Sequence, residues 1–342
     1  MREDEDLFDI NNRRYTGSKY KLIDWIKNLI EENCPGNVFC DIFAGTGVVT
    51  DSVLDIYNKF IINDFLYSNE VIYKGFYLQE DFDWDRLEAY KEKYTLLNPD
   101  TLEENYVSIN YGDKFFRNED AKIIGFIRED IENEKSSINE KEYYILLASL
   151  IYSLDKAANT VGHYDAYIKN KEIKTKFNFE LIMPKKLPNK AIHIYRRDAN
   201  ELANEIETDV TFIDPPYNSR QYSRFYHVLE NIAQWKKPDL YGIALKPEPE
   251  NMSEYCKTAA PIVLKDLILK LKTKYIVLTY NNTYNSKSSS SKNKITLEEI
   301  EEILNEVGKT KKFEKSHQFF NAGKTEFSNH KEYLFITEVG EK

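Results

Sequence analysis

Val38-Phe39-Cys40-Asp41-Ile42-Phe43-Ala44-Gly45-Thr46-Gly47 reads as a short buried strand that runs into a Gly-x-Gly turn. Helical spacing follows from about Val48 to Tyr57. Strand, glycine turn and helix, in that order, let a nucleoside lie against the backbone at the helix mouth. A second strand, Phe60-Ile61-Ile62-Asn63, ends in Asp64. That acid lies about 20 residues beyond the glycines, where a carboxylate can take the hydroxyls of a ribose. The fold class expected is therefore α/β, with an open, Rossmann-like sheet. The turn lacks the third glycine of pyrophosphate-binding versions and the Gly-Lys-Ser/Thr of a P-loop. Asp41 at the strand end repels a phosphate and welcomes a cation. A sulfonium with an amino group suits it, which favours S-adenosylmethionine over NAD or ATP.

A second corner is written in Thr211-Phe212-Ile213-Asp214-Pro215-Pro216-Tyr217. Proline cannot donate to a sheet ladder, so a strand that reaches Ile213 stops there. Asp214 precedes a proline and is pushed out of the helical region. The result is a stiff elbow at the carboxyl end of a strand, where open α/β sheets bind ligands. It presents a carboxylate, carbonyls that no ladder uses and an aromatic ring. Such a set grips a planar group bearing an NH2: Asp214 and the Pro215 carbonyl accept its hydrogens, and Tyr217 stacks on its face.

Other segments fill in around these two. Residues 1–10 are an acidic tail without the apolar stretch of a signal peptide. Arg13-Arg14-Tyr15-Thr16-Gly17-Ser18-Lys19 precedes a helix from Lys21 to Ile30, with Thr16 or Ser18 as its cap. There Gly17 permits close backbone approach, and Lys19 sets a point charge at the helix mouth. Residues 69–190 change in texture, with many charges and tyrosines and a helical pattern that is strongest from Glu142 to Leu154. They read as an insertion that contacts a macromolecular target, dividing a core of 11–68 and 191–340. His163 within it is expected to be structural or a phosphate contact. The core resumes with a strand that ends at Asp198 and with the Asp214 strand. A polar loop, Asn218 to Arg224, then carries Arg220 and Arg224, suited to closing over a substrate or holding phosphates. Helices are expected over His227–Ala233, Ala260–Leu271 and Leu297–Val307, and strands over Tyr275–Tyr280, Phe313–Phe319 and Glu332–Thr337. Ser286 to Lys292 is low in complexity and is expected to be a loose loop.

The 342-residue chain has a formal net charge of −10. This argues against a histone-like DNA binder but not against a nucleic-acid enzyme, because the local charge distribution decides. Lysines and arginines do cluster, for example at Lys185/Lys186. The three cysteines match neither a disulfide framework nor a zinc pattern, so no metal is expected and a reducing cytoplasm is the simplest setting. No stretch approaches the ~20 apolar residues of a membrane span.

Taken in order, Tyr15-Thr16-Gly17-Ser18-Lys19, Asp41-Ile42-Phe43-Ala44-Gly45-Thr46-Gly47, Asp64, Asp198 and Asp214-Pro215-Pro216-Tyr217 resemble the motifs of the Dam-like (alpha) group of DNA adenine-N6 methyltransferases. Asn218-Ser219-Arg220-Gln221-Tyr222 and Glu332-Tyr333-Leu334-Phe335 resemble the branch found in restriction-modification systems. The resemblance implies a Rossmann-like S-adenosylmethionine-dependent methyltransferase sheet with an inserted, mainly helical target-recognition region at 69–190. It implies that Tyr15, Gly17, Lys19, Asp41, Phe43, Gly45 and Gly47 bind the cofactor, with Asp64 on its ribose and Asp198 on its adenine. Asp214, Pro215 and Tyr217 become the catalytic corner, acting on an adenine flipped out of double-stranded DNA. Arg220, Arg224, Lys185 and Lys186 become candidate DNA contacts, and a cognate restriction endonuclease becomes a partner. Two other readings stay open: an RNA base or cytosine amino group as acceptor on the same fold, and a catalytically silent DNA-binding module.

Overall fold

Seven strands carry the sheet: β1 (Val38–Asp41), β2 (Lys59–Asn63), β3 (Ala191–Tyr195), β4 (Glu207–Ile213), β5 (Lys272–Asn281), β6 (Gly308–Ser316) and β7 (Lys331–Val339). They come from a computed structural model that describes residues 7–169, 172–282, 292–316 and 331–340. The order across the sheet is β3-β2-β1-β4-β5-β7-β6. β1 pairs in parallel with β2 and β4, and β4 with β5; β7 lies antiparallel between β5 and β6. This is the open α/β sheet expected from the glycine turn. The chain order reverses direction between β1 and β4, and both strands bring acids to that point.

The chain divides into two compact units. One holds Lys19–Phe65, Tyr195–Tyr222 and the described parts of Met252–Lys342, and with them most of the sheet. Its core is apolar from both sides: Cys40, Ile42 and Ile213 from the strands meet Leu264, Leu267, Ile300 and Leu304 from the helices Ala260–Lys270 and Leu297–Asn305. The outer strand β6 exposes Lys309, Lys311, Lys312 and Lys315, which blunts a sheet edge against pairing with another chain. The three cysteines are free and buried.

The other unit takes the described part of Met1–Ser18 together with Leu66–Ile194 and Ser223–Asn251. It is built on the helices Tyr67–Tyr77 and Glu140–Ala157, which pack together. Gly75 lets them close: a Cβ there would sit 2.8 Å from Ala148 Cβ and 2.9 Å from the Tyr144 carbonyl oxygen. Asn139 and Glu142 cap the longer helix reciprocally. This unit is larger than the 69–190 stretch. The helix His227–Gln234, expected in the core, joins it through Glu230, whose carboxylate accepts the Tyr67 and Ser68 N–H groups at 3.0 and 2.8 Å. Leu66, at the capping position of Tyr67–Tyr77, supplies no side-chain cap, so Glu230 does the capping from a distant segment.

Local details depart from the sequence expectations. The first helix of the sheet unit spans Ile23–Asn33 after a 3-10 turn at Tyr20–Leu22, with Leu22 and Lys19 at the capping positions instead of Thr16 or Ser18. Lys19 is drawn into an ion pair instead. Arg14 is no free surface cation: it donates to the Ala158 carbonyl at 3.3 Å, at the end of Glu140–Ala157. His163 stacks on Phe225 at 4.6 Å, a structural contact. Tyr222–Phe225 forms a helical turn within the expected polar loop. β6 begins five residues before Phe313, because its antiparallel pairing with β7 starts at Gly308 opposite Val339, and it is described as far as Ser316. The serine-rich run Ser286–Ser291 lies outside the described residues. Among the described residues, no helix is long and apolar enough to cross a membrane.

The Glu230 cap yields a direct test. Glu230→Ala removes the carboxylate that accepts the Tyr67 and Ser68 N–H groups and is expected to destabilise the fold by about 1–3 kcal/mol. Chemical denaturation would read this, and an unchanged midpoint would remove Glu230 as the cap.

Candidate active site

Four strand ends build the site: Asp41 ends β1, Asp64 follows β2, Asp214 follows β4 and Thr279 lies near the end of β5. β4 stops at Ile213, as the two prolines dictate. Ile213 is in register with Leu278, so Asp214 and Thr279 are the next residues along two parallel neighbours. The Thr279 hydroxyl donates to Asp214 Oδ1 at 2.7 Å. The Lys19 ammonium meets Asp214 Oδ2 at 2.8 Å, with side-chain exposures of 13% for Lys19 and 18% for Asp214. Burial alone would depress the Lys19 pKa, but Asp214 and Glu332 outweigh it and hold the ammonium above its ordinary value.

Asp41 is in a different state. It is 1% exposed. Its Oδ2 accepts the Thr50 hydroxyl at 3.0 Å, while the buried Oδ1 finds no partner. Burial drives its pKa up to about 7; the Thr50 hydrogen bond opposes this, and the negative fields of Asp214 and Asp64 add to it. Three carboxylates thus gather at the carboxyl ends of β2, β1 and β4, and the Lys19 ammonium pairs with one of them. An unpartnered buried carboxylate oxygen in such surroundings suits a cationic ligand and not a phosphate.

The glycine turn is held open beside it. Gly45 and Gly47 have φ of 53° and 78°, in the left-handed region that a side chain makes costly. The Gly45 N–H donates to Asp64 Oδ2 at 2.8 Å, which fixes the acid against the turn. Asn63 locks the neighbouring strand ends: its amide donates to the Ile42 and Arg197 carbonyls at 3.0 and 3.1 Å. Phe43 packs edge-on to Tyr255 at 5.1 Å. Asp198 serves as an N-cap, its Oδ1 accepting the Asn200 and Glu201 N–H groups at 2.9 and 3.1 Å.

Tyr217 is more deeply set than a free stacking platform. It is 7% exposed, its ring meets Tyr280 edge-on at 5.0 Å, and its hydroxyl donates to the Thr279 carbonyl. Lys294 N–H donates to the Tyr217 carbonyl at 2.6 Å, fixing the corner from the other side. Asp214 and Tyr217 are therefore both tied to β5.

The remaining sequence candidates fall elsewhere. Arg220 belongs to the sheet unit, where its N–H donates to Asn218 Oδ1 at 3.0 Å. In the helical unit, Tyr15 stacks on Tyr226 at 4.7 Å and Gly17 takes a φ of 83°. Arg224 there donates to the Pro247 carbonyl at 2.5 Å, and Lys185 reaches Asp9 at 3.4 Å. Lys186 lies over the Phe82 ring at 5.8 Å. Thr50, Asn63 and Thr279 make hydrogen bonds at the candidate site, and Glu332 acts on Lys19 through its field, none of which the sequence reading identified. A hydroxyl within an otherwise apolar strand end was the available signal for Thr279.

A family model for D12 class N6 adenine-specific DNA methyltransferases matches residues 15–295. The type II methyltransferase M.NlaIII of Neisseria lactamica is 31% identical over 340 residues, covering 95% of this chain and 98% of that one. The modification methylase StsI of Streptococcus sanguinis is 34% identical over 301 residues, covering 79% of this chain and 44% of that one. The type II methyltransferase M.FokI of Planomicrobium okeanokoites is 33% identical over 317 residues, covering 86% and 47%. The chain thus spans a little under half of StsI and M.FokI and nearly all of M.NlaIII. With the carboxylate corner, the glycine turn and this match together, the chain belongs to the D12 class N6 adenine-specific DNA methyltransferase family.

Proposed function

We propose that this chain transfers a methyl group from S-adenosylmethionine to the exocyclic amino group of an adenine swung out of double-stranded DNA. Its role would be modification, protecting cytoplasmic DNA from a cognate restriction endonuclease. The observation that carries the reading is Asp214: a partly exposed carboxylate at the switch point of the sheet, oriented by Thr279 and Lys19.

An adenine amino group is a poor nucleophile because its lone pair is delocalised into the ring. Asp214 and the Pro215 carbonyl would accept its two hydrogens and draw the nitrogen toward tetrahedral geometry, which returns the lone pair to nitrogen. The N–C bond would form as the methyl–sulfur bond breaks, and Asp214 would stabilise the positive charge on nitrogen until its surplus proton is lost to water. Tyr217, held rigid by β5, is the aromatic surface assigned to the base. S-adenosylmethionine would supply the electrophilic methyl group. Asp41, Phe43, Gly45, Gly47 and Asp64 would hold it, with Lys19 and Asp198 as further contacts. The unpartnered Asp41 oxygen and the open glycine turn fit a cationic nucleoside. Alignment and preset charge, not a covalent enzyme intermediate, would supply the rate. Arg220, Arg224, Lys185 and Lys186 are assigned to the DNA backbone, and the helical 69–190 region to target recognition.

Asp214→Ala is expected to lower methyl transfer by at least about a thousandfold while cofactor affinity changes little. Mass spectrometry of nucleosides after incubation with duplex DNA would show N6-methyladenine from the wild-type chain. Wild-type turnover in the variant, or methylation only of cytosine or RNA, would overturn the assignment.

The Lys19–Asp214 pair is expected to couple by about 1–3 kcal/mol in a double-mutant cycle of Lys19→Met and Asp214→Asn, read by denaturation. Additive effects would show that the pair contributes nothing to stability.

Asp41 sets a pH dependence. Its folded pKa of about 7 stands above the ordinary carboxylate value. Between the two, the folded chain keeps a proton that the unfolded chain has lost, so this contribution to stability declines as pH rises and is gone above about 7. A bound cation favours the ionised form, so S-adenosylmethionine affinity is expected to rise from about pH 6 to about pH 8. Asp41→Asn should flatten that rise in calorimetric titration. A flat profile in the wild-type chain would remove Asp41 as the counter-ion.

A further inference from the structure

We infer that Thr279 is a positioning residue for methyl transfer, holding both ends of the Asp214–Tyr217 corner. The inference rests on the methyltransferase reading and adds to it a residue outside the sequence motifs.

Thr279 is 2% exposed, one residue beyond the last parallel β4–β5 pair, and is held on its other side by antiparallel pairing with Leu334 of β7. Its side chain and its backbone face two different members of the corner. The hydroxyl donates to Asp214 Oδ1 at 2.7 Å. The carbonyl accepts the Tyr217 hydroxyl. One residue of β5 thereby fixes the first and the last residue of Asp214-Pro215-Pro216-Tyr217, and the two prolines between them permit little rearrangement.

Lys19 also touches Asp214, at 2.8 Å, but its contribution differs in kind. An ammonium on a four-carbon stem is a point charge with rotatable donors, so it supplies field and little direction. The terminal torsion of an aspartate is broad, so charge alone does not orient the carboxylate plane. Thr279 is β-branched, with a restricted χ1, on a strand locked between two neighbours. Its hydroxyl therefore points in a direction set by the sheet. That direction selects the carboxylate plane and leaves lone pairs turned toward an incoming amino group.

The experiment compares wild type, Thr279→Val and Thr279→Ser in steady-state and single-turnover methylation of duplex DNA, with N6-methyladenine as the product and cofactor affinity measured in parallel. Val keeps the shape but cannot donate; Ser keeps the donor. The Val variant is expected to lose roughly 10- to 100-fold in kcat. Its KM for DNA and its S-adenosylmethionine affinity should stay within about threefold, and Ser should restore most of the rate. Wild-type kcat in the Val variant overturns the inference. So does a loss that Ser fails to repair, or one that falls on KM instead of kcat. If Val yields too little folded protein, Thr279→Cys replaces it, with a weak donor of similar size. A rate between Ser and zero supports the inference, and a rate equal to Ser overturns it. Absence of product from the wild-type chain overturns the functional reading itself, and this inference with it.

Discussion

Negative charge collected at one point of the sheet is the constraint on which this structure turns. Asp41, Asp64 and Asp214 stand at neighbouring strand ends, and Asp41 feels the fields of the other two. Carboxylates brought together out of water repel one another and lose hydration. The fold answers this in two ways. Lys19 neutralises Asp214 directly. Burial pushes the Asp41 pKa up to about 7, with one oxygen satisfied by Thr50 and the other without a partner. The arrangement is costly for the free protein, as is common where charge is gathered for function.

The two halves of the site are built by different means. The glycine-turn side depends on backbone: glycines in the left-handed region, the Gly45 N–H on Asp64 and the Asn63 amide tying strand ends together. The Asp214 side depends on a stiff elbow fastened to the next strand. Proline rigidity stops β4 and exposes Asp214, and Thr279 turns that exposure into a defined direction. Preorganisation of this kind costs no rearrangement at the moment of reaction.

The helical unit follows another logic. Its long helix Glu140–Ala157 is buried on nearly every face, and its partner helix approaches closely through Gly75. Charges inside it serve structure: Glu230 caps a helix start and Arg14 serves a helix end. Basic residues that look alike in a sequence thus divide into internal caps and candidate nucleic-acid contacts.

Much of this was legible in the chain itself. Strand, glycine turn and helix around Gly45, and the proline stop after Ile213, are local rules, and local rules survive folding. The acids at the strand ends followed from the same reasoning, because a strand that stops presents its last side chain. Tertiary structure decided the rest. Lys19 looked like a helix-mouth charge and became the counter-ion of Asp214, since only packing brings residues nearly two hundred positions apart together. Asp198 took up a capping role, and Tyr217 sank into the core under Tyr280. Helix His227–Gln234 falls in the helical unit, where the Glu230 carboxylate accepts the Tyr67 and Ser68 N–H groups. Thr279 carried no motif, and its place became visible only when β4 and β5 lay in register. Sequence determined which backbone conformations were affordable and where strands must end. Long-range pairing, which depends on register and burial, determined which side chains meet there.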